Sequence, residues 1–274
     1  MKAPVFICLV AIVFLLNSCT SYRYIYAPAP ANVPYFTEKG NTKINGFYSG
    51  SGNNSPGLHA DGFDIQVAHA LSNHLAITAA WFHRNESDRQ GGNSIFDTSA
   101  IHYTRNLGGV GTGYFVALNS KKTITFNLYG GVDVGRFSID DEGMDDSAVY
   151  SRYHQSRITK WYLQPSFNFM PGKYFRASLF FRNNFVHYGH IKTSYTKEEL
   201  DYFSFQRIRN STLYFFETGY ELGLGIPGVP WLFLNTSLSF ASGLNIINFT
   251  RLTTRSANIS IGLSSNLFKI KSKE

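Results

Sequence analysis

Along most of this chain apolar and polar residues alternate with period two, the pattern of strands whose two faces meet different surroundings. From Tyr174 to His187, Phe175, Ala177, Leu179, Phe181 and Phe185 share one face, and Arg176, Ser178, Arg182 and Asn184 the other. From Tyr214 to Ile226, Tyr214, Phe216, Tyr220, Leu222 and Leu224 oppose Glu217, Gly219, Glu221 and Gly223. Ile124, Phe126, Leu128, Val132 and Val134 oppose Thr125, Asn127, Tyr129, Asp133 and Gly135. The same rhythm runs through Phe63–Ala68, Leu232–Phe240 and Asn258–Leu267, and no convincing amphipathic helix or heptad interrupts it. A soluble sheet would show Lys and Glu on its wet face. Here that face is Gly, Ser and Asn with a few charges, which suits a crowded barrel interior.

The connections alternate as well. Short turns at Ser72-Asn73-His74, Asn119-Ser120-Lys121-Lys122, Pro171-Gly172-Lys173 and Pro227-Gly228-Val229-Pro230 are separated by long polar segments near 50–61, 85–97, 139–156, 188–211 and 242–255. Transmembrane barrels have short periplasmic turns and longer external loops. The expected strands lie near 42–50, 62–71, 75–84, 98–118, 123–139, 156–170, 174–187, 212–226, 231–241 and 256–268. The expectation is therefore an all-β, antiparallel, up-and-down transmembrane barrel of about ten strands, with both termini on the short-turn side. A strand tilted about 45° climbs roughly 2.3 Å per residue, so a 25 Å apolar band needs about 10 or 11 residues. Trp161, Phe169, Tyr174 and Trp231 are spaced to form aromatic girdles at its edges.

Composition agrees with this reading and narrows it. Charged residues are 16%, below the roughly 25% of soluble domains, aromatics are 16%, and there are 24 Gly among 274 residues. Mean hydropathy is −0.15, too polar for a helical membrane bundle. The net charge of +7 raises nucleic acid or anionic lipid as partners. The basic residues are sorted, however. Arg84, Arg89, Arg105, Arg136, Arg152, Arg157, Arg207, Arg209, Arg251 and Arg255 fall at expected outer strand ends or loops. Lys39, Lys43, Lys121, Lys122, Lys173, Lys269, Lys271 and Lys273 fall on the short-turn side. Charge spread over two sides of a membrane speaks against nucleic acid.

The first residues add a destination. Met1-Lys2 followed by an apolar run from Pro4 to Leu16 has the form of a secretory signal, too short to span a bilayer comfortably. Leu16-Asn17-Ser18-Cys19 resembles the lipobox of bacterial lipoproteins, which implies cleavage before Cys19 and acylation of its thiol and new amine. Cys8 would leave with the signal, so the mature chain would keep no free thiol for disulfides, thiolate metal sites or cysteine nucleophiles. Thr20-Ser21-Tyr22-Arg23 lacks the acidic residues that direct some Bacteroidota lipoproteins to the cell surface, which places the expected anchor in the periplasmic leaflet of the outer membrane. The expected organisation is a signal peptide over 1–18, a lipid-anchored linker rich in Pro over 19–40, a barrel over 41–268 and a basic periplasmic tail over 269–274.

Taken together, residues 40–268 resemble the small outer-membrane β-barrels of Bacteroidota. Asn266-Leu267-Phe268 is similar to the C-terminal insertion signal of outer-membrane proteins, although six residues follow Phe268. Such a fold implies no activity by itself. The expected role is non-enzymatic, a structural or interaction part of the envelope with outer-membrane lipids, lipopolysaccharide and an envelope protein complex as candidate partners. A narrow diffusion channel and a surface hydrolase acting on lipid A or peptide are the alternatives.

Candidate chemistry falls into four groups. Asp64, Asp133, Lys160, Arg176, Arg182, Glu217 and Glu221 take the inward parity and are expected to pair across neighbouring strands, Arg176 and Arg182 with Glu217 and Glu221, since unpaired charges in a narrow lumen would be costly. Arg84, Arg105, Arg152, Arg157, Arg207, Arg209, Arg251 and Arg255 are expected as an external rim that grips lipopolysaccharide phosphates bidentately. Asp140, Asp141, Glu142, Asp145 and Asp146 crowd one expected loop without calcium-loop spacing, and Asp146-Ser147-Ala148 resembles the short O-glycosylation signal of Bacteroidota. His154 with that acidic loop, or His187 with His190, resembles part of the omptin protease site, and Val186-His187-Tyr188-Gly189-His190 part of a lipid A deacylase site. Neither full motif is present. No metal site and no cofactor is expected, and Gly108–Gly113 reads as a close-packed strip on a strand.

Overall fold

A computed structural model describes residues 22–52, 59–91, 98–145, 148–209, 211–243 and 251–267. Cys19, Asp146, Ser147, Phe268 and the basic tail lie outside them. A short strand β1 (Arg23–Tyr26) precedes β2 (Thr42–Gly52), β3 (His59–Ala70), β4 (Leu75–Gly91), β5 (Thr98–Ala117), β6 (Ile124–Asp145), β7 (Ala148–Gly172) and β8 (Phe175–Thr193). A one-turn helix α1 (Lys197–Tyr202) and a 3-10 turn (Phe205–Arg207) follow, then β9 (Thr212–Ile226), β10 (Val229–Gly243), β11 (Leu252–Thr254) and β12 (Ala257–Leu267). Ten strands, β2 to β10 and β12, close into one antiparallel barrel, with β12 pairing to β2 at the seam.

The short turns follow from local chemistry. Asn119 accepts hydrogen bonds from the backbone N–H of Thr123 and Ile124 at 2.9 and 3.2 Å, an Asx-type closure between β5 and β6. Ser72 accepts from Leu75 N–H at 2.9 Å between β3 and β4. In the β9–β10 turn Gly228 has φ +85°, which an L side chain rarely adopts, and it follows Pro227 as in a type II turn.

The strands run well past the expected boundaries. β6 continues to Asp145 instead of stopping near 139, and β7 begins at Ala148 instead of 156. The acidic cluster is therefore largely strand, not loop. The cause is an inversion of the pattern with height. Low in the barrel the outward residues are apolar, such as Ile124, Phe126, Leu128 and Val134, while Thr125, Asn127 and Asp133 point inward. Higher up, Ile101, Tyr103, Phe137, Ile139, Ile158, Val186, Tyr188, Leu213 and Phe215 point inward and form one buried cluster. Their outward neighbours there are polar, among them Asn106, Arg136, Gln155 and Arg157. Residues 135–145 at the same climb lift the wall about another 25 Å beyond the apolar belt.

The largest departure concerns residues 19–40. From Arg23 onward this stretch is no periplasmic linker: Arg23 to Phe36 thread the lumen, and most of them are buried. Arg23 N–H donates to the Arg251 carbonyl at 2.9 Å, and β1 pairs in parallel with β11 at the long-loop mouth. Phe36 packs with Ala70, Ala76, Phe115 and Tyr129 at the short-turn end. Gly40, at φ +88°, then turns the chain into β2. The physical reason lies in the prolines. Pro28, Pro30 and Pro34 carry no N–H, so around them the strap offers carbonyls without matching donors, and wall side chains that donate can satisfy them.

Candidate functional site

Those donors are the polar inward residues. Arg105 donates to the Tyr24 carbonyl at 2.5 Å and Tyr188 to that of Ile25 at 2.7 Å. Gln66 reaches Pro30 O and Gln164 reaches Asn32 O, both at 2.9 Å. Lys43 donates to Val33 O at 2.9 Å, while Asn127 and Asn168 both donate to Pro34 O at 3.0 and 2.8 Å. Tyr26 stacks on Phe215 with centroids 4.1 Å apart and donates its phenol to Glu217 at 2.6 Å. A void of about 50 Å3 remains mid-lumen, beside Pro30, Asn32, Asp64, Lys160 and Arg182. That is space for a few waters at most.

Ion pairs fill the rest in tiers. Near the belt centre Lys160 meets Asp133 at 2.7 Å and Arg182 meets Glu217 at 3.0 Å. Lower down Glu221 takes Lys43 at 2.8 Å, while the Arg176 guanidinium lies 3.7 Å over the Phe233 ring. Lys43 was expected among the periplasmic lysines; its inward parity puts it inside instead. In the upper tier Asp64 lies 3.6 Å from Arg84 and accepts from Ser49 at 2.5 Å. Glu86 holds Arg105 at 2.6 Å and Arg255 at 3.4 Å, and Asp88 holds Arg255 at 2.9 Å. The Arg255 guanidinium covers the Tyr24 ring at 3.5 Å. At the mouth Asp141 binds Arg23 at 2.5 Å and accepts from Tyr195 at 2.9 Å. Burial, with the Asp141 charge beside it, pushes the Tyr195 phenol above its ordinary range, so it stays a donor.

The expected arginine rim is corrected accordingly. Arg84, Arg105 and Arg255 are buried in the lumen at 0–2% exposure. Arg84 and Arg105 sit within their long strands and Arg255 just before β12, all turned inward above the belt, where Asp64 lies beside Arg84, Glu86 holds Arg105, and Glu86 and Asp88 hold Arg255. Arg152 pairs with Glu199 and lies 4.0 Å over the Tyr150 ring. The Arg251 guanidinium lies 3.8 Å over Tyr202. Arg207 and Arg209 are exposed beside the 3-10 turn. Arg157 faces outward, directly across the ladder from Arg136, and with Lys192, His190, Asn106 and Gln155 it lines an external groove of about 590 Å3. No carboxylate lines that groove among the described residues.

The mouth is capped by a segment that reads as polar loop. Thr196 and Glu199 form a reciprocal capping box that starts α1, and Tyr195, Phe203, Phe205 and Ile208 bury themselves in the upper cluster. The Thr-x-x-Glu spacing followed by spaced aromatics is the signal that would have found it. His154 is fully buried and stacks on Phe205 at 4.5 Å, facing Ile139 across the ladder and not the acidic group. His187 is half-buried and His190 exposed, with no acid or hydroxyl nucleophile bonded to either among the described residues.

No protein-family model and no curated relative matches the chain. Similar solved structures include the translocator domain of the autotransporter NalP from Neisseria meningitidis, at 11% identity and a TM-score of 0.47, covering 84% of this chain and 89% of that one. The outer membrane protein OprG from Pseudomonas aeruginosa is similar at 10% identity and a TM-score of 0.34, with 86% and 99% covered. OmpT, an outer membrane protein of Vibrio cholerae, is similar at 6% identity and a TM-score of 0.28, with 88% and 100% covered. With its closed antiparallel wall of ten strands and apolar outer belt, the chain has the fold of a transmembrane β-barrel.

Proposed function

We propose that this chain is a plugged outer-membrane barrel with a structural or interaction role in the envelope, neither a diffusion channel nor an enzyme. The observation that carries the reading is the strap: Arg23 to Phe36 occupy the lumen along its length and satisfy its polar wall. An open pore would replace these strap contacts with water and leave the ion-pair tiers without the strap's packing. Reconstituted in planar bilayers, the full chain is expected to show no discrete conductance steps, and stable steps would overturn the reading.

The partner that best fits the outer wall is lipopolysaccharide. Arg136 and Arg157 oppose each other on neighbouring strands just above the outward Val134 and Trp161, close to the depth of headgroup phosphates. Like charges directly opposite in a sheet are destabilising, and a phosphate gripped by both guanidinium groups removes that repulsion. Lys192, opposite Gln155 on the next strand, adds a point charge. Replacing Arg136 and Arg157 with Ser is expected to lower the lipopolysaccharide that co-purifies with the barrel. Equal amounts from the double variant and the parent would remove this contact from the reading.

A further inference from the structure

We infer that the barrel carries its own N-terminal end across the outer membrane and presents it on the outer face, opposite its C-terminal end. The strap has a direction, and both its ends are fixed. Arg23 is held at the long-loop mouth by Asp141 and by the Arg251 carbonyl, whereas Phe36 is packed among the short turns. Strap and barrel strands together make an odd number of passes, so Tyr22 and Leu267 lie at opposite ends. The threading cannot be reversed without mismatch. Arg23 needs the carboxylate of Asp141, Tyr26 needs Glu217, and the carbonyls flanking the prolines need the Asn and Gln donors low in the lumen.

This bears on the side of the membrane that Cys19 occupies. Arg23 lies four positions after Cys19, a reach of about 14 Å fully extended, whereas Arg23 to Phe36 spans roughly 40 Å. With the strap seated, an acyl chain on Cys19 cannot reach the periplasmic leaflet. An anchor there requires the strap to be withdrawn and the lumen to be empty, so the two topologies exclude each other. The inference rests on the proposed orientation, in which the long-stranded end faces outward.

The test is cysteine labelling on intact cells with a membrane-impermeant maleimide, in the full-length chain. Ser21→Cys reports the N-terminal end. Ala148→Cys, exposed at the β6–β7 connection, and Ser120→Cys, exposed in the β5–β6 turn, report the two ends of the barrel. The parent chain is the blank where Cys19 is acylated; labelling of the parent itself on intact cells would place Cys19 outside and agree with the inference. The expected result is Ser21→Cys labelled together with Ala148→Cys, and Ser120→Cys labelled only after permeabilisation. Ser21→Cys behaving like Ser120→Cys overturns the inference. Ser120→Cys labelling on intact cells while Ala148→Cys does not would invert the assumed orientation and overturn the inference together with it; Ser21→Cys following Ala148→Cys would then keep only the direction of the strap.

Discussion

Tyr26 is where the seating of the strap can be weighed. Its ring is buried and stacked nearly parallel on Phe215, at 7° between planes, and its phenol is bonded to Glu217, which also holds Arg182. Tyr26→Phe keeps the ring and removes one hydrogen bond to a charged acceptor, a loss of about 1.5–3 kcal/mol. Tyr26→Ala also empties the ring's site, for which large-to-small aromatic changes cost about 3–5 kcal/mol. Taking about 2 and about 4 kcal/mol, and a factor of ten per 1.4 kcal/mol, the strap-released population should rise about 30-fold for Phe and about 1,000-fold for Ala. Single-channel recording reads this as brief openings absent from the parent and more frequent in Ala than in Phe, and limited proteolysis of the strap should follow the same order. A Tyr26→Ala protein as silent and as protected as the parent would refute the idea that the strap is a seated plug held by this contact. Equal effects of Phe and Ala would assign the seating to the phenol–carboxylate bond alone.

Two further substitutions probe the mouth and the wall. Asp141→Asn removes the carboxylate from the buried Arg23 pair, a change that costs about 3–5 kcal/mol when one partner is lost; trypsin is expected to cut after Arg23 in the folded variant and not in the parent, and equal resistance would count against the pair as a latch. Gly109→Ala sets a Cβ 1.9 Å from the Asp133 carboxylate and 2.7 Å from the Val132 carbonyl, whereas Gly108→Ala meets nothing within 4 Å; overpacking should cost the first about 1–3 kcal/mol, seen as a lower midpoint of heat-induced mobility change, with the second unchanged.

The belt was legible because lipid and a polar lumen impose opposite demands on alternate residues. Phe175, Leu179 and Phe185 against Arg176, Ser178 and Arg182 needed only parity to be placed. Parity also brought Arg182 onto the strand facing Glu217, but the partner of Glu221 is Lys43, three strands away across the lumen, which no local spacing reveals. Above the belt the inside becomes the drier side. There the same alternation continues with its polarity reversed, so a search for outward apolar residues stops at Val134 and takes Arg84 and Arg105 for rim residues. The strap was hidden for a different reason. A stretch such as Tyr-Ala-Pro-Ala-Pro has the composition of an extended linker, and that conformation is in fact what it adopts; only its surroundings differ. The signal lay in the wall, where Gln66, Asn127, Gln164 and Asn168 take the inward parity and carry donors that reach strap carbonyls.

That complementarity also constrains how the barrel can close. The strap is joined to β2 by only Thr37 to Asn41, so it is tethered beside the seam where β12 meets β2. Passing it through a finished barrel would drag Arg23 and the rings of Tyr24 and Tyr26 past the Lys160–Asp133 and Arg182–Glu217 tiers, with each buried charge losing its partner on the way. Closure around a strap already lying against the wall avoids this. The most C-terminal of the described strands then complete both surfaces at once. β11 pairs with β1 at the mouth, Arg255 covers Tyr24 and binds Glu86 and Asp88, and in β12 Asn258 and Ser260 bond to Arg84 and Ser49. The segment that closes the wall is also the segment that fastens the outer end of the strap, so a barrel sealed without its strap would lack part of what holds its final strand in place.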